Sequence, residues 1–172
     1  MKVLLYITLS ANGCISRENH DISFISDENL QNLRTLIKKT GNVVMGRKAY
    51  DNFIKKHDIF KKEDPRVFVI SRNGALHSDN LRINYVNFSP KRIIEFIEEE
   101  DYDNTLIMGG SKTASIFLKE NLVDEIYLNI EPILLGSGVK FFSEYNFEKR
   151  LELINTTKIS NNTVQLHYKV LK

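Results

Sequence analysis

Three short segments pair small residues with cations in a way suited to holding an anion: Gly46-Arg47-Lys48, Ser71-Arg72-Asn73-Gly74 and Gly109-Gly110-Ser111-Lys112-Thr113. Each follows a short apolar run, and the first and third open a stretch of helical periodicity. A helix N-terminus after glycine leaves free N–H groups converging on one point, and the helix dipole there favours negative charge. With Arg47, Lys48 and Arg72 beside them, these loops could hold the phosphate-bearing parts of a dinucleotide. A glycine between strand and helix also serves simply as a tight turn. It is the coincidence of three such loops with three cations that points to nucleotide binding. The scheme differs from the common ones, since no G-x-G-x-x-G follows the first strand and no P-loop sequence is present.

Other reactive residue types form no constellation. His20, His57, His77 and His167 lack metal-ligand spacing, so no metal site is expected. The one cysteine, Cys14, excludes a disulfide framework and, with no base paired to it in the sequence, does not read as a nucleophile. Lys and Arg number 24 against 22 Asp and Glu, a formal net charge of +2. No basic excess is therefore available to neutralise a polyanion, and nucleic acid is not an expected partner. The lysines at 55, 56, 61 and 62 are offset by nearby acids, and Glu98-Glu99-Glu100-Asp101 reads as a solvated helix end. No segment approaches the roughly 20 apolar residues of a membrane span. Residues 2–9 are better read as a buried first strand than as an export signal. The expectation is a single domain over residues 1–172, reduced and cytoplasmic, with no membrane association.

The elements that must position the three loops alternate strand and helix over two thirds of the chain. Residues 2–9 predict a strand. Ser26 can cap a helix that carries Asp27 and Glu28 at the positive end of its dipole. Leu30, Leu33, Leu36 and Ile37 give that helix its apolar stripe, and Gly41 ends it. A buried strand at 42–46 runs into a helix at 47–56, with Tyr50, Phe53 and Ile54 on one face. Strands at 66–71 and, more weakly, 82–86 follow, then a helix from Pro90 to residue 100, a strand at 105–108 and a helix at 111–120. From Val123 the period changes to two. Ile126, Leu128 and Ile130 alternate with Glu125, Tyr127 and Asn129, and Val164, Leu166, Tyr168 and Val170 with Gln165, His167 and Lys169. Residues 151–159 and the turn Ser160-Asn161-Asn162 form a hairpin with the last strand. The alternation implies parallel pairing with right-handed crossovers, and the closing run implies antiparallel edge strands. The expected class is α/β, a mixed sheet flanked by helices, with ligand at the carboxyl ends of the strands.

Leu9-Ser10-Ala11-Asn12-Gly13-Cys14-Ile15, Val43-Val44-Met45-Gly46-Arg47-Lys48-Ala49-Tyr50, Ile107-Met108-Gly109-Gly110-Ser111 and Leu122-Val123-Asp124-Glu125-Ile126 stand in the order seen in the dihydrofolate reductase superfamily. The chain resembles that superfamily over essentially its whole length. The tail Pro132-Ile133-Leu134-Leu135-Gly136-Ser137-Gly138-Val139-Lys140-Phe141-Phe142 is similar in particular to the C-terminal reductase domain of the bifunctional riboflavin biosynthesis deaminase/reductase, here as a small stand-alone bacterial form. The resemblance implies a three-layer αβα fold around a mixed, mostly parallel sheet of roughly eight strands, with NADPH as cofactor. By position it places Thr8, Ala11 and Ile15 at the nicotinamide. It places Gly46, Arg47, Lys48, Ser71 and Arg72 at the adenosine phosphates, and Gly109, Gly110, Ser111, Lys112 and Thr113 at the pyrophosphate. Arg47, Lys48 and Arg72 favour NADPH over NADH on charge. Relatives of the riboflavin type are commonly homodimeric, so Tyr127 and residues 132–142 are candidates for a dimer contact and equally for the core.

Two positions depart from these relatives. Dihydrofolate reductases carry a pterin-gripping carboxylate on the inward face of the first helix, and counting back from Gly46 that position falls on Leu30. Riboflavin-type reductases usually carry a glutamate before the Gly-Gly pair, where this chain has Met108. Phe24, Leu30 and Met108 are expected on the substrate side. Asp27 and Glu28 are the nearest carboxylates for proton delivery, with helix capping as their simpler role and ordered water as an equal candidate. The expected function is an NADPH-dependent reductase passing a hydride to a small heterocyclic or ribosylamino-pyrimidine substrate, as in 5-amino-6-(5-phosphoribosylamino)uracil reductase. Dihydrofolate reduction, weakened by Leu30, and a non-catalytic NADPH-binding sensor are the alternatives.

Overall fold

The structure, a computed structural model, describes residues 1–142 and 146–172. Its elements in chain order are β1 (Lys2–Ser10), β2 (Cys14–Ser16), α1 (Asp27–Thr40), β3 (Asn42–Gly46), α2 (Arg47–Lys56), α3 (Ile59–Glu63), β4 (Arg66–Ile70), β5 (Ile83–Val86), α4 (Pro90–Glu99), β6 (Asn104–Ile107), α5 (Ser111–Lys119), β7 (Glu125–Glu131), β8 (Val139–Lys140), β9 (Arg150–Lys158) and β10 (Val164–Leu171). Eight strands form one sheet in the order β5-β4-β3-β6-β1-β7-β10-β9, and β2 and β8 make a separate ribbon. The six strands from β5 to β7 are parallel. β10 and β9 extend the sheet antiparallel.

This is the mixed eight-stranded sheet that the family resemblance implies, with one correction to the reading of the residue pattern. The period-two alternation grouped residues 125–131 with the antiparallel strands, but β7 pairs parallel to β1, with Tyr6 opposite Tyr127 and Ser10 opposite Glu131. Helix α5 returns the chain across the sheet between β6 and β7, and such a crossover makes the following strand parallel. Three elements were not anticipated: α3, β2 and β8. They span five, three and two residues, too few for any periodicity to register.

The two faces of β1 explain the layers. Val3, Leu5, Ile7 and Leu9 pack with Ile93 and Ile97 of α4 and Phe117 and Leu118 of α5. Leu4 and Tyr6 point the other way and pack with Leu33 and Ile37 of α1, Tyr50 and Phe53 of α2 and Ile59 of α3. With both faces covered, the central strands read as continuous apolar runs rather than alternating ones.

The helix ends divide into two kinds. α1 is capped by Ser26, whose hydroxyl accepts from the Asn29 N–H, and holds Asp27 and Glu28 in its first turn. α4 is capped by Ser89. α2 and α5 begin after Gly46 and Gly110, with no side-chain cap and no acid in the first turn. Their first N–H groups are left for something else to satisfy. Among the described residues, no helix is long and apolar enough to cross a membrane.

Candidate active site at the carboxyl edge of the sheet

All six parallel strands end at the same edge, and the three loops singled out in the sequence meet there. Gly46 and Ile70 are register partners, which sets Ser71 and Arg72 beside the start of α2. The Gly46 N–H donates to the Gly109 carbonyl at 3.1 Å, which joins the starts of α2 and α5. Gly109 has φ +81° and is linked to Gly110 by a cis peptide. A Cβ on Gly46 would stand 2.7 Å from the Thr113 Oγ1, and one on Gly110 would meet the Ala49 Cβ at 3.7 Å and the Ile15 Cδ1 at 4.0 Å. Two uncapped helix N-termini are thus pressed together.

The charges around them are cationic. Arg47, Lys48, Arg72 and Lys112 are exposed. Arg47 approaches Asp51 one turn along at 3.8 Å, both side chains being about half exposed, so that pair does little to neutralise it. Ser71 is buried, and its hydroxyl accepts the Asn73 N–H at 3.1 Å; it shapes the turn that carries Arg72. Thr113 is buried and Ser111 half-buried at the first turn of α5. Converging N–H donors, flanking cations and a floor that admits no side chain at residue 46 fit a phosphate-bearing ligand.

Thr8 sits half-buried near the end of β1, on the α1 side. The segment after it is strapped to the chain beyond β7. The exposed Ala11 donates its N–H to the Ile133 carbonyl at 2.8 Å. The Asn12 side chain donates to the Leu135 carbonyl at 2.6 Å and accepts the Leu135 N–H at 3.1 Å. β2 then pairs with β8. Within residues 132–142, Leu135 and Phe141 are buried in this chain, whereas Leu134 and Phe142 are exposed. Tyr127 stacks on His167 with ring centroids 4.1 Å apart.

On the opposite side of the edge, the Arg17 guanidinium lies 5.8 Å over the ring of half-buried Phe24. Arg17 and Lys56 both pair with Asp21, which ties the segment before α1 to the end of α2. Leu30 and Met108 are half-buried against the core beneath α1 and α2. The Met108 N–H donates to the Val44 carbonyl at 2.9 Å. Asp27 and Glu28 are exposed on the first turn of α1.

The sequence reading missed a buried polar network at this edge. Glu131, the last residue of β7, is 1% exposed. One of its oxygens accepts from the Ser26 N–H and Oγ at 3.0 Å each and from the Asn29 Nδ2 at 2.7 Å. The other accepts from the Thr163 Oγ1 at 2.9 Å. The Asn29 Oδ1 accepts from the Tyr6 hydroxyl at 2.5 Å and lies 3.5 Å from the Thr8 hydroxyl. Burial pushes the Tyr6 phenol well above its ordinary value. The spacing Asn29-Leu33-Ile37 carried the signal, since those three are the residues α1 buries at four-residue intervals.

His57, which follows α2, is half-buried. Its Nε2 is buried with no hydrogen-bond partner among the described residues, and its ring lies 4.8 Å from Phe53. Burial first, and then nearby Lys56, hold the imidazole below its ordinary value.

Known proteins share this architecture. A putative riboflavin biosynthesis protein from Shewanella sp. PV-4 superposes with a TM-score of 0.85 at 24% identity, covering 100% of both chains. The Thermotoga maritima diaminohydroxyphosphoribosylaminopyrimidine deaminase/5-amino-6-(5-phosphoribosylamino)uracil reductase superposes with a TM-score of 0.79 at 17% identity, covering 99% of this chain and 56% of that longer one. In sequence, the uncharacterised Bacillus subtilis protein YwjB is 27% identical over 170 residues, 97% of each chain. The RibD C-terminal domain model matches residues 1–165, and the chain is a member of that family.

Proposed function

We propose that this chain is an NADPH-dependent reductase acting on a ribosylamino-pyrimidine phosphate or a closely related small heterocycle. One observation carries the reading: the glycine-capped N-termini of α2 and α5 converge at Gly46 and Thr113, ringed by Arg47, Lys48, Arg72 and Lys112. Two uncapped helix ends side by side suit a pyrophosphate, and the surplus of cations suits a further phosphate. When bound, the reduced nicotinamide supplies the hydride. The chain's own part is to anchor the phosphates, orient the reactants and exclude water. Thr8, Ala11 and Ile15 lie on the segment that would face the nicotinamide, and Phe24, Leu30 and Met108 lie towards the substrate.

Dihydrofolate fits less well. Leu30, half-buried on α1, supplies no carboxylate to grip a pterin there. Rapid NADPH oxidation with 5-amino-6-(5-phosphoribosylamino)uracil and none with dihydrofolate is the expected result. Turnover with dihydrofolate alone would overturn the substrate assignment, and tight NADPH binding without turnover on either would favour a sensor.

A homodimer is part of the same proposal. β9 ends the sheet with all nine residues exposed, Leu151, Leu153 and Ile154 at 41–55% among them. An apolar edge strand of that length favours pairing. Light scattering on the purified chain should give twice the mass of 20.0 kDa.

A further inference from the structure

One Glu131 oxygen accepts from the Ser26 backbone N–H, which can only donate, and as an acceptor that oxygen sets the polarity of a chain of hydrogen bonds that ends at Thr8. The Asn29 amide must turn its Nδ2 towards the carboxylate, 2.7 Å away. Its Oδ1 therefore faces Tyr6 and Thr8. The Tyr6 hydroxyl lies 2.5 Å from that Oδ1 and 3.1 Å from the Asn29 carbonyl, two acceptors, so it donates. The Thr8 hydroxyl has one proton, and the acceptor 3.5 Å away draws it inward. With its proton engaged there, the Thr8 hydroxyl can meet a ligand at the end of β1 only as an acceptor.

The arrangement is held firmly. Asn29 and Glu131 are each 1% exposed and Thr163 2%. The remaining contacts of Glu131, from the Ser26 N–H, the Ser26 hydroxyl and the Thr163 hydroxyl, all reach it as donors. Reversing the Asn29 amide would bring its carbonyl against the carboxylate and leave a buried acceptor without a donor, which costs more than an ordinary hydrogen bond contributes.

We infer that Glu131 and Asn29 are positioning residues that fix Thr8 as a hydrogen-bond acceptor, so that the ligand seated at the end of β1 must present an N–H. The inference rests on the proposed reductase function, in which two ligands carry such a group: the carboxamide of the nicotinamide and the amino groups of the pyrimidine. An acceptor here selects for either over a carbonyl-bearing counterpart.

The test compares binding of NADPH with binding of its 3-acetylpyridine analogue, which replaces the carboxamide NH2 by a methyl group, by fluorescence titration. A second arm measures KM for 5-amino-6-(5-phosphoribosylamino)uracil at saturating NADPH. If the carboxamide is the donor, the wild-type chain prefers NADPH by about fivefold, and Thr8→Val brings that ratio to one. If the pyrimidine is the donor, the ratio is flat and Thr8→Val raises KM by about fivefold with kcat little changed. Glu131→Leu removes the acceptor that orients Asn29 and should reproduce whichever change Thr8→Val causes. Glu131→Gln can still offer an oxygen to Ser26 and Asn29 while its NH2 turns to Thr163, so it should restore the wild-type pattern. A merely structural role for Glu131 would lower thermal stability in Glu131→Leu without moving the ratio or KM selectively. That result, or Thr8→Val leaving both measurements unchanged, overturns the inference. Absence of NADPH and NADH binding to the wild-type chain is a different outcome: it overturns the reductase assignment, and this inference with it.

Discussion

Gly46, the last residue of β3, and Thr113, in the first turn of α5, are 67 residues apart in sequence and stand so close that a Cβ on Gly46 would lie 2.7 Å from the threonine Oγ1. Gly46 has φ −72°, a conformation open to any residue, so the requirement is steric and not conformational. Gly46→Ala should therefore cost about 1–3 kcal/mol through overpacking. The neighbour is a short, β-branched, buried side chain that has little freedom to give way. Thr113→Ala should be mild alone and should recover most of the loss in the Gly46→Ala background. Urea midpoints of the four chains in a double-mutant cycle would measure the coupling; additive effects would show that the two helix ends do not press on one another.

The cations at this edge should discriminate between the two nicotinamide cofactors. Arg47 and Arg72 are exposed, and the one ion pair of Arg47 among the described residues is a long contact to Asp51. Neither is needed for folding, so Arg47→Ala and Arg72→Ala should melt close to wild type. Each should weaken NADPH binding by roughly three- to tenfold and NADH binding by less, because an extra phosphate loses more than a shared one. The difference should shrink in high salt, since exposed charge pairs are screened. Equal losses for both cofactors would place these arginines away from the extra phosphate.

Most of this edge was legible in the sequence because it is written in local chemistry. Gly46-Arg47-Lys48 and Gly109-Gly110-Ser111-Lys112-Thr113 lie within single turns, so both the helix start and the missing cap can be read from consecutive residues. The α1 and α4 caps at Ser26 and Ser89 are equally local. What was not legible depends on pairing across the chain. Glu131 reads as one more polar residue on an alternating strand, and only the fold brings Ser26, Asn29 and Thr163 to it from 105, 102 and 32 residues away. The parallel direction of β7 has the same origin, since its alternation is that of a one-sided strand whichever way it runs. α3 escaped for lack of length, and its role in filling the space beside α1 became visible only through Ile59, Phe60 and the rings they meet.

The strap over the carboxyl edge of the sheet should loosen when Asn12 is shortened. Its side chain makes a reciprocal pair with the Leu135 backbone, donating at 2.6 Å and accepting at 3.1 Å, and also accepts from the Ser10 hydroxyl at 2.8 Å. Asn12→Ala takes the acceptor from the buried Ser10 hydroxyl and the side-chain partner from the buried Leu135 backbone, so the cost to global stability should be about 1–3 kcal/mol. The local effect should be larger. Hydrogen exchange at the Leu135 amide should accelerate well beyond what the global change explains, and the affinity for NADPH should fall as residues 11–16 become mobile. Unchanged exchange at Leu135 would mean that the β2–β8 ribbon holds the strap without Asn12.

His57 should make the fold sensitive to mild acid. Its imidazole is held below the ordinary value of 6.5, chiefly by burial and then by Lys56, while Asp27 and Asp58 pull the other way and Arg34 adds to the lowering. The folded chain therefore takes up this proton less readily than the unfolded chain does. Where the unfolded state binds more protons, stability rises with pH. The contribution of His57 is thus full above about pH 6.5 and is lost progressively as the pH falls from there towards the depressed folded value. Urea midpoints at pH 7.5 and 5.5 should show the wild-type chain weakening over that interval. His57→Gln, which has no charge to gain, should weaken less. The comparison isolates this residue because the carboxylates that also titrate in acid are common to both chains. A slope of equal size in both would assign the acid sensitivity to those carboxylates and leave the half-buried ring of His57 with no part in it.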